Sequence, residues 1–227
     1  MEKEWIEILE KEKQNKFKFE GLDKEKVLAI LLENIGNESP DIRDHLVYPN
    51  LAHLLHDKFL EKNRLVEITK LLLGSEFLFK DIEKDDEKSV LTRSFTALQL
   101  AILAFVHTRD ELYDLSMAKL LQEKAIEYFA KEKVLRGYDK DLGWMHAIAH
   151  SADMFSQIVG MKETDEEFLE KLFNVVADKF LVNNYNYISD EDERMVNALK
   201  KALDKDLLDK EFLLNWVTRI SEASAPE

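Results

Sequence analysis

The scarcity of helix-breaking residues constrains the fold of this chain more than any other feature of its sequence. Only 6 glycines and 3 prolines occur among 227 residues. Over long stretches, apolar residues recur at intervals of three and four positions, the spacing that gathers them on one face of an α-helix. No stretch shows the apolar–polar alternation of a half-buried strand. The sequence therefore predicts an all-α protein.

Start and stop signals divide this helical pattern into pairs. The first helices of four successive pairs are predicted to begin near residues 41, 88, 142 and 190. Their spacing lies close to the roughly 40–47 residues of HEAT and armadillo repeats, in which antiparallel helix pairs stack side by side. We therefore expect a HEAT/armadillo-like α-solenoid. Because the residues themselves do not repeat, an irregular multi-helix bundle is the alternative.

No linker divides the chain, so we expect a single all-helical domain over residues 1–227. Within it, residues 1–36 are predicted to form N-terminal helices, residues 41–220 the helix-pair repeats and residues 221–227 a frayed tail. Pro49 falls inside a helical pattern. Because proline lacks a backbone N–H and clashes with the preceding turn, it is expected to kink or split that helix.

Charge and composition narrow the partners and the compartment. Asp and Glu total 46 against 32 Lys and Arg, a net charge of −14, which opposes general binding to nucleic acid and to anionic membrane surfaces. The longest apolar run, ALQLAILAFV, is too short to cross a bilayer. The absence of cysteine removes thiolate chemistry and fits a reducing compartment. We expect a cytoplasmic protein with no nucleic-acid and no membrane partner.

The stretch GWMHAIAHSADMF places His146, His150 and Asp153 about one helical turn apart on one polar strip. Two neutral imidazoles and a carboxylate at this spacing can reach one divalent ion and leave a coordination position open for water. The metalloprotease motif HExxH is excluded, because Ala147 stands where that motif has its glutamate. The open alternatives are a metal site, a ligand-binding strip and a polar face on which His150 and Asp153 pair.

Aromatic and cationic side chains surround this strip in the sequence. Arg136, Tyr138 and Trp144 lie just before or at the start of the helix, and such residues often line small-molecule and peptide pockets. Trp144 is equally well explained as a lid on the core. Tyr48 lies on a polar side of an earlier first helix. If the pairs stack, their first helices become neighbours and these residues line one surface.

Arg93 lies within a helix whose apolar residues cover most of its circumference. A charged residue on such a central helix must find a carboxylate or face a cleft. If it faces a cleft, stacking of the first helices adds Arg93 to the surface of the histidine strip. Its candidate partners are Asp41, Asp44, Asp110 and Asp153.

Four segments form a recognisable combination: RDHLVYPNL, TRSFTALQLA, LRGYDKDLGWMHAIAHSAD and DEDERMVNAL, between about residue 40 and about residue 200. The combination resembles the bacterial family labelled domain of unknown function 2785. The resemblance implies a helical, repeat-like cytoplasmic protein and assigns no reaction. The positions that match family motifs are Arg43, Asp44, Tyr48, Pro49, Arg93, Ser94, Arg136, Gly137, Tyr138, Gly143, Trp144, His146, His150, Asp153 and Arg194.

We expect a binding module rather than an enzyme, without a cofactor, that presents a pocket to a peptide, protein or small-molecule partner. The alternative is a metal-dependent hydrolase or lyase in which His146, His150 and Asp153 hold one divalent metal such as zinc and a bound water attacks the substrate. The residues predicted for the binding site are Tyr48, Arg93, Arg136, Tyr138, Trp144, His146, His150 and Asp153.

Overall fold

Helices form most of the computed structural model, which describes residues 1–84, 88–182 and 185–223. The all-α prediction is confirmed in broad terms, because 67% of the chain is helical. The helices are α1 (Lys3–Gln14), α2 (Lys24–Glu33), α3 (Pro40–Ile42), a π-helical segment (Arg43–Val47), α4 (Tyr48–His56), α5 (Lys62–Leu72), α6 (Ser89–Asp110), α7 (Leu115–Lys131), α8 (Ala147–Gly160), α9 (Glu166–Phe180), α10 (Glu191–Leu203) and α11 (Lys210–Ala223).

The first helices of the predicted pairs lie in a row. Helix α4 packs against α6, α6 against α8, and α8 against α10. The second helices pack onto this row and onto one another: α5 contacts α6, α7 contacts α8 and α9, and α9 contacts α10 and α11. Three of the four predicted starts lie one residue from the observed helix. Helix α8 begins at Ala147 rather than near residue 142, because a short hairpin precedes it.

Helix α6 is the centre of the core. By length and composition alone it could cross a membrane, although the shorter apolar run in its sequence predicted no span. In the structure, 83% of its apolar window is buried, and the helix contacts α4, α5 and α8. Packing inside the protein therefore accounts for its apolar surface. One continuous cluster of buried apolar side chains extends from α1 to α10.

Near Pro49, where a kink or break was predicted, the helix changes from π-helical to α-helical geometry. The π-helical segment precedes α4, and Pro49 lies in the first turn of α4, where its missing N–H costs least. The carbonyl of His45, one turn back, accepts a hydrogen bond from Lys13 Nζ at 3.1 Å instead. Asn50 Nδ2 donates to the carbonyl of Leu46 at 2.9 Å. Side chains thus satisfy carbonyls that the π-helical turn displaces from the regular helical pattern.

Two local expectations differ from the structure. Strands β1 (Tyr138–Asp139) and β2 (Gly143–Trp144) form a small antiparallel hairpin where the sequence indicated no strand. Helix α11 extends to Ala223, three residues into the predicted frayed tail, and the rest of that tail, residues 224–227, lies outside the described residues.

Candidate functional site

The hairpin formed by β1 and β2 leads into α8 and presents Trp144 to solvent. Tyr138 and Trp144 are opposite each other across the two strands. Asp139 closes the turn, because its Oδ1 accepts hydrogen bonds from the backbone N–H groups of Asp141 (2.9 Å) and Leu142 (3.0 Å). This side chain-to-backbone pattern is a common way of fixing a tight turn.

Gly143 allows the hairpin to lie directly against α3. Its φ is +74°, in the left-handed region that glycine adopts without strain. A Cβ at this position would stand 2.7 Å from Pro40 Cγ, too close for two carbons. Arg43 also holds the hairpin: its Nη2 donates to the carbonyls of Leu142 at 2.9 Å and Trp144 at 3.2 Å. The backbone of Trp144 is therefore tethered to the π-helical segment.

Arg43 is fully buried and acts as the inner support of the site. Its Nε lies 2.8 Å from Asp44 Oδ1, and its Nη1 donates to the carbonyl of Asn37 at 2.9 Å. The guanidinium carbon lies 4.9 Å from the ring centre of Phe95, and Phe95 in turn meets the ring of His150 edge to face at 5.1 Å. A positive charge is thus separated from His150 by one aromatic ring.

His146 immediately precedes α8, and both its backbone and its side chain are unusual. Its φ of +46° lies in the left-handed region, which few residues other than glycine adopt. The backbone N–H groups of Met145 and His146 both donate to the carbonyl of Gly137, at 2.8 and 3.1 Å. The side chain is 8% exposed and contacts the Trp144 ring, with ring centres 4.3 Å apart. Among the described residues, none forms a hydrogen bond with its buried Nε2.

His150 lies one turn further along α8 and is buried. Its Nδ1 is hydrogen-bonded to Ser94 Oγ of α6 at 2.8 Å, and its ring is perpendicular to that of His146, with centres 5.6 Å apart. Burial lowers the pKa of His146 to about 4 and that of His150 to about 3, and the positive charge of Arg194 contributes to both shifts. Both imidazoles are therefore neutral at physiological pH.

Asp153 and Arg194 connect α8 to α10 at the edge of this group. Arg194 Nη1 donates to Asp153 Oδ2 at 2.8 Å, and both side chains are 37% exposed. Burial raises the pKa of Asp153, and the guanidinium opposes the rise. Burial also raises the pKa of Tyr48 on α4, with Asp153 raising it further and Arg194 lowering it. We refer to Tyr48, Trp144, His146, His150, Asp153 and Arg194 as the histidine cluster.

Two further predicted site residues lie on the hairpin beside the cluster. The Tyr138 ring contacts the Trp144 ring edge to face, with centres 4.8 Å apart, and is half exposed. Arg136 pairs with Asp139, with Nη2 and Oδ2 3.3 Å apart. The structure therefore places Tyr138 in aromatic contact with the cluster, whereas the ion pair of Arg136 is with the hairpin turn.

Arg93 does not join the cluster, and this corrects the sequence-based expectation. Its Nε and Nη2 donate to the two carboxylate oxygens of Glu132 at 2.7 and 2.8 Å, and its Nη1 donates to the carbonyl of Lys80 at 2.9 Å. Within the described residues, the carboxylate that Arg93 binds is thus Glu132 rather than one of the four predicted aspartates. Consecutive residues on a helix point about 100° apart, so when Ser94 faces His150, its neighbour Arg93 faces elsewhere.

The three predicted metal ligands do not form a common coordination site. A metal site on one helical strip requires all three ligands to lie in the helix, but His146 lies before α8 with a left-handed backbone. Ser94 occupies Nδ1 of His150. Arg194 occupies the carboxylate of Asp153. In the described part of the chain, no group of three His, Cys, Asp or Glu side chains is arranged to hold a metal ion.

Ser94 and Arg194 entered the sequence analysis only as family-motif positions, and neither was assigned to the site. Their partners in the cluster are 56 and 41 residues away in the sequence, so no local pattern connects them. The signal that could have identified them is the resemblance itself, which groups both positions with the histidine motif. Phe95 carried no such signal, because it is one apolar residue among many on α6.

Comparison with known proteins gives one finding. A family model described as protein of unknown function (DUF2785) matches residues 78–227, which include the hairpin, α8 and α10. Neither a curated protein nor a solved structure matches the chain. Five of the six members of the histidine cluster lie within the matched residues, and Tyr48 lies before them.

Proposed function

The chain belongs to the DUF2785 family, whose description names no activity, and we propose from the histidine cluster that it is a ligand-binding protein. The proposed binding site lies under Trp144, where side chains of α4, α8 and α10 meet. Its ligand is a small molecule, or one side chain of a bound peptide or protein, of a size that can take the place of the indole ring.

The state of His146 is the observation that supports this proposal best. A buried polar nitrogen without a hydrogen-bond partner costs about 1–3 kcal/mol, and its Nε2 is such an atom. The left-handed backbone costs on the order of 1–3 kcal/mol more. Backbone strain clusters at functional sites, and a buried polar group without a partner requires an explanation. A ligand that forms a hydrogen bond with this nitrogen would recover part of the cost.

Trp144 closes the site and is the part that must move. Its side chain is 44% exposed and packs against His146 and Tyr138. Because Arg43 holds the backbone of Trp144, the indole can rotate about its side-chain bonds while the hairpin stays in place. Exchange of the indole for a ligand would then expose the imidazole without unfolding the hairpin.

No feature of the described site favours the alternative function, a metal-dependent hydrolase or lyase. Ser94 occupies Nδ1 of the buried His150, and among the residues that the structure describes no three His, Cys, Asp or Glu side chains are grouped to hold a metal ion. Elemental analysis of untagged protein tests this alternative. One zinc, iron or manganese ion per chain, lost from the His146→Ala/His150→Ala variant, would restore the metal hypothesis and overturn the present proposal.

We infer further that the row of first helices is a HEAT/armadillo-like α-solenoid. The order of contacts α4–α6–α8–α10, with the second helices packed beside it, is the order that stacked antiparallel pairs require. In such a stack the first helices share one surface, and the histidine cluster takes residues from three of them. The negative charge and the absence of cysteine keep a cytoplasmic location as our expectation.

Ligand-observed NMR with a library of small polar fragments tests the binding site. Three proteins are compared: wild type, His146→Phe and His53→Phe. His53 is the matched control, because its ring is 43% exposed and stacks on Phe17, a contact that phenylalanine preserves. We expect fragments that bind wild type and His53→Phe but not His146→Phe. Equal binding to all three proteins, or no fragment bound to wild type, would overturn the proposal.

A further inference from the structure

We propose that the ligand of the histidine cluster carries a carboxylate and that Arg194 binds it. This inference rests on the proposed binding function and adds the chemical class of the ligand. It is based on the free hydrogen-bonding capacity of Arg194, on the charges around the two imidazoles and on the exposed aromatic rings beside them.

Arg194 has hydrogen-bonding capacity that the protein leaves unused. Across the described ranges, its guanidinium makes one side-chain hydrogen bond, from Nη1 to Asp153 Oδ2. A guanidinium carries five N–H donors in a planar fork that matches the two oxygens of a carboxylate. Because the side chain is partly exposed, the remaining donors are open to a ligand that enters the cluster.

Arg194 is the positive group that acts on both imidazoles. It lowers the pKa of His150 and of His146, and at His146 its effect exceeds the opposite effect of Asp190. Arg43 also lowers the pKa of His150, but Asp44 lies 2.8 Å from its Nε. An anion next to the imidazoles is therefore attracted chiefly by Arg194. Asp153 is the carboxylate that neutralises Arg194 when no ligand is bound.

The other side chains at the site narrow the class of ligand to small aromatic or planar monocarboxylates. The neutral imidazole of His146 has one N–H that it can donate to a ligand oxygen. Trp144 and Tyr138 offer partly exposed ring faces for stacking a planar group. Asp153 keeps one negative charge beside Arg194, so a singly charged carboxylate fits this site better than a doubly charged phosphate.

Benzoate and benzamide are suitable probes, because they share one shape and differ in charge. In NMR titrations that follow the indole N–H of Trp144, we expect benzoate to bind and benzamide not to bind.

Arg194→Gln should weaken benzoate binding by roughly tenfold or more, since charge-assisted hydrogen bonds are lost. Asp153→Asn should strengthen it, because the competing carboxylate is removed. Arg219→Gln is the control. It breaks an exposed ion pair with Asp178, which is not part of the histidine cluster, and it should leave benzoate binding unchanged.

The possible contrary results are distinguishable. Equal binding of benzoate and benzamide, or benzoate binding that Arg194→Gln does not weaken, would overturn the carboxylate inference and leave the binding site in place. Tighter binding of phenyl phosphate than of benzoate would assign the site to phosphate groups and overturn it as well. If benzoate fails but fragments still bind in a His146-dependent way, only the ligand class is wrong. If both fail, the proposed function falls too.

Discussion

Single residues in the histidine cluster carry free-energy costs. His146 combines a left-handed backbone with an unpartnered buried nitrogen. His150 is buried so deeply that its pKa falls to about 3. An apolar side chain of similar size could fill either position without burying polar atoms. These costs are the physical basis of the proposal that the cluster binds a ligand.

His146→Phe is expected to raise the free energy of unfolding by about 1 kcal/mol, because the substitution removes an unsatisfied buried nitrogen and keeps a ring against Trp144. Urea denaturation at pH 7 measures this change. The control His53→Phe removes a partly exposed contact with Asp57 and should cost no more than about 1 kcal/mol. A loss of stability in His146→Phe of more than about 1 kcal/mol would show that the imidazole already has a stabilising partner.

The pKa of His150 predicts a dependence of stability on pH. Its ordinary value is 6.5, and burial lowers it to about 3 in the folded protein. Below pH 6.5 the unfolded chain therefore binds a proton that the folded protein does not, so stability falls as the pH falls from about 6.5 towards 3. Between pH 7 and 4.5 the loss from this residue is roughly 2–3 kcal/mol.

His150→Asn isolates this contribution, because the amide does not titrate and can still reach Ser94 Oγ. Urea denaturation of both proteins at pH 7 and pH 4.5 gives the comparison. We expect wild type to lose about 2 kcal/mol more than the variant over this interval. Equal losses would mean that His150 titrates near its ordinary pKa in the folded protein and is not the buried neutral group described above.

At the scale of elements, the row of first helices could be predicted, whereas the hairpin and the directions of individual side chains could not. Helical periodicity is local, so three of the four predicted helix starts lie one residue from the observed helix. Strands β1 and β2 have two residues each, too few to show alternation. The direction of Arg93 depends on how α6 is rotated against its neighbours, which no single helix encodes. His146 lies before α8, although the predicted metal site requires it to be part of that helix. The spacing along the helix therefore does not bring the three predicted ligands together.

The hairpin gives a prediction at this scale. Gly143→Ala should destabilise the protein by about 1–3 kcal/mol, because alanine at φ +74° is strained and its Cβ would clash with Pro40. Gly21→Ala is the matched control, since Gly21 has the same φ and nothing within 4 Å of the added carbon. Urea denaturation measures both variants. The difference between them reports the contact with Pro40, and equal losses would mean that the hairpin does not press against α3.

On the scale of the whole molecule, a buried ion pair connects the central helix α6 to the second helices α7 and α9. Arg93 of α6 binds both carboxylate oxygens of Glu132, just after α7, and both side chains are buried. Lys179 of α9 donates to the backbone carbonyl of Glu132 at 2.6 Å. These bonds connect α6, the end of α7 and α9, so the ion pair links three helices rather than one. Its two residues are 39 positions apart in the chain.

Glu132→Gln should therefore lower the free energy of unfolding by about 3–5 kcal/mol, because it removes the negative charge that pairs with Nε and Nη2 of the buried Arg93 guanidinium. For a domain of this size the midpoint of thermal unfolding should fall by roughly 10 °C. The exposed pair of Arg219 and Asp178 provides the comparison, and Asp178→Asn should cost less than about 1 kcal/mol, because solvent screens it. Thermal and urea unfolding of both variants measure the difference. A loss below about 1 kcal/mol in Glu132→Gln would mean that solvent reaches the Arg93 guanidinium, and that the junction of α6, α7 and α9 is looser than its hydrogen bonds indicate.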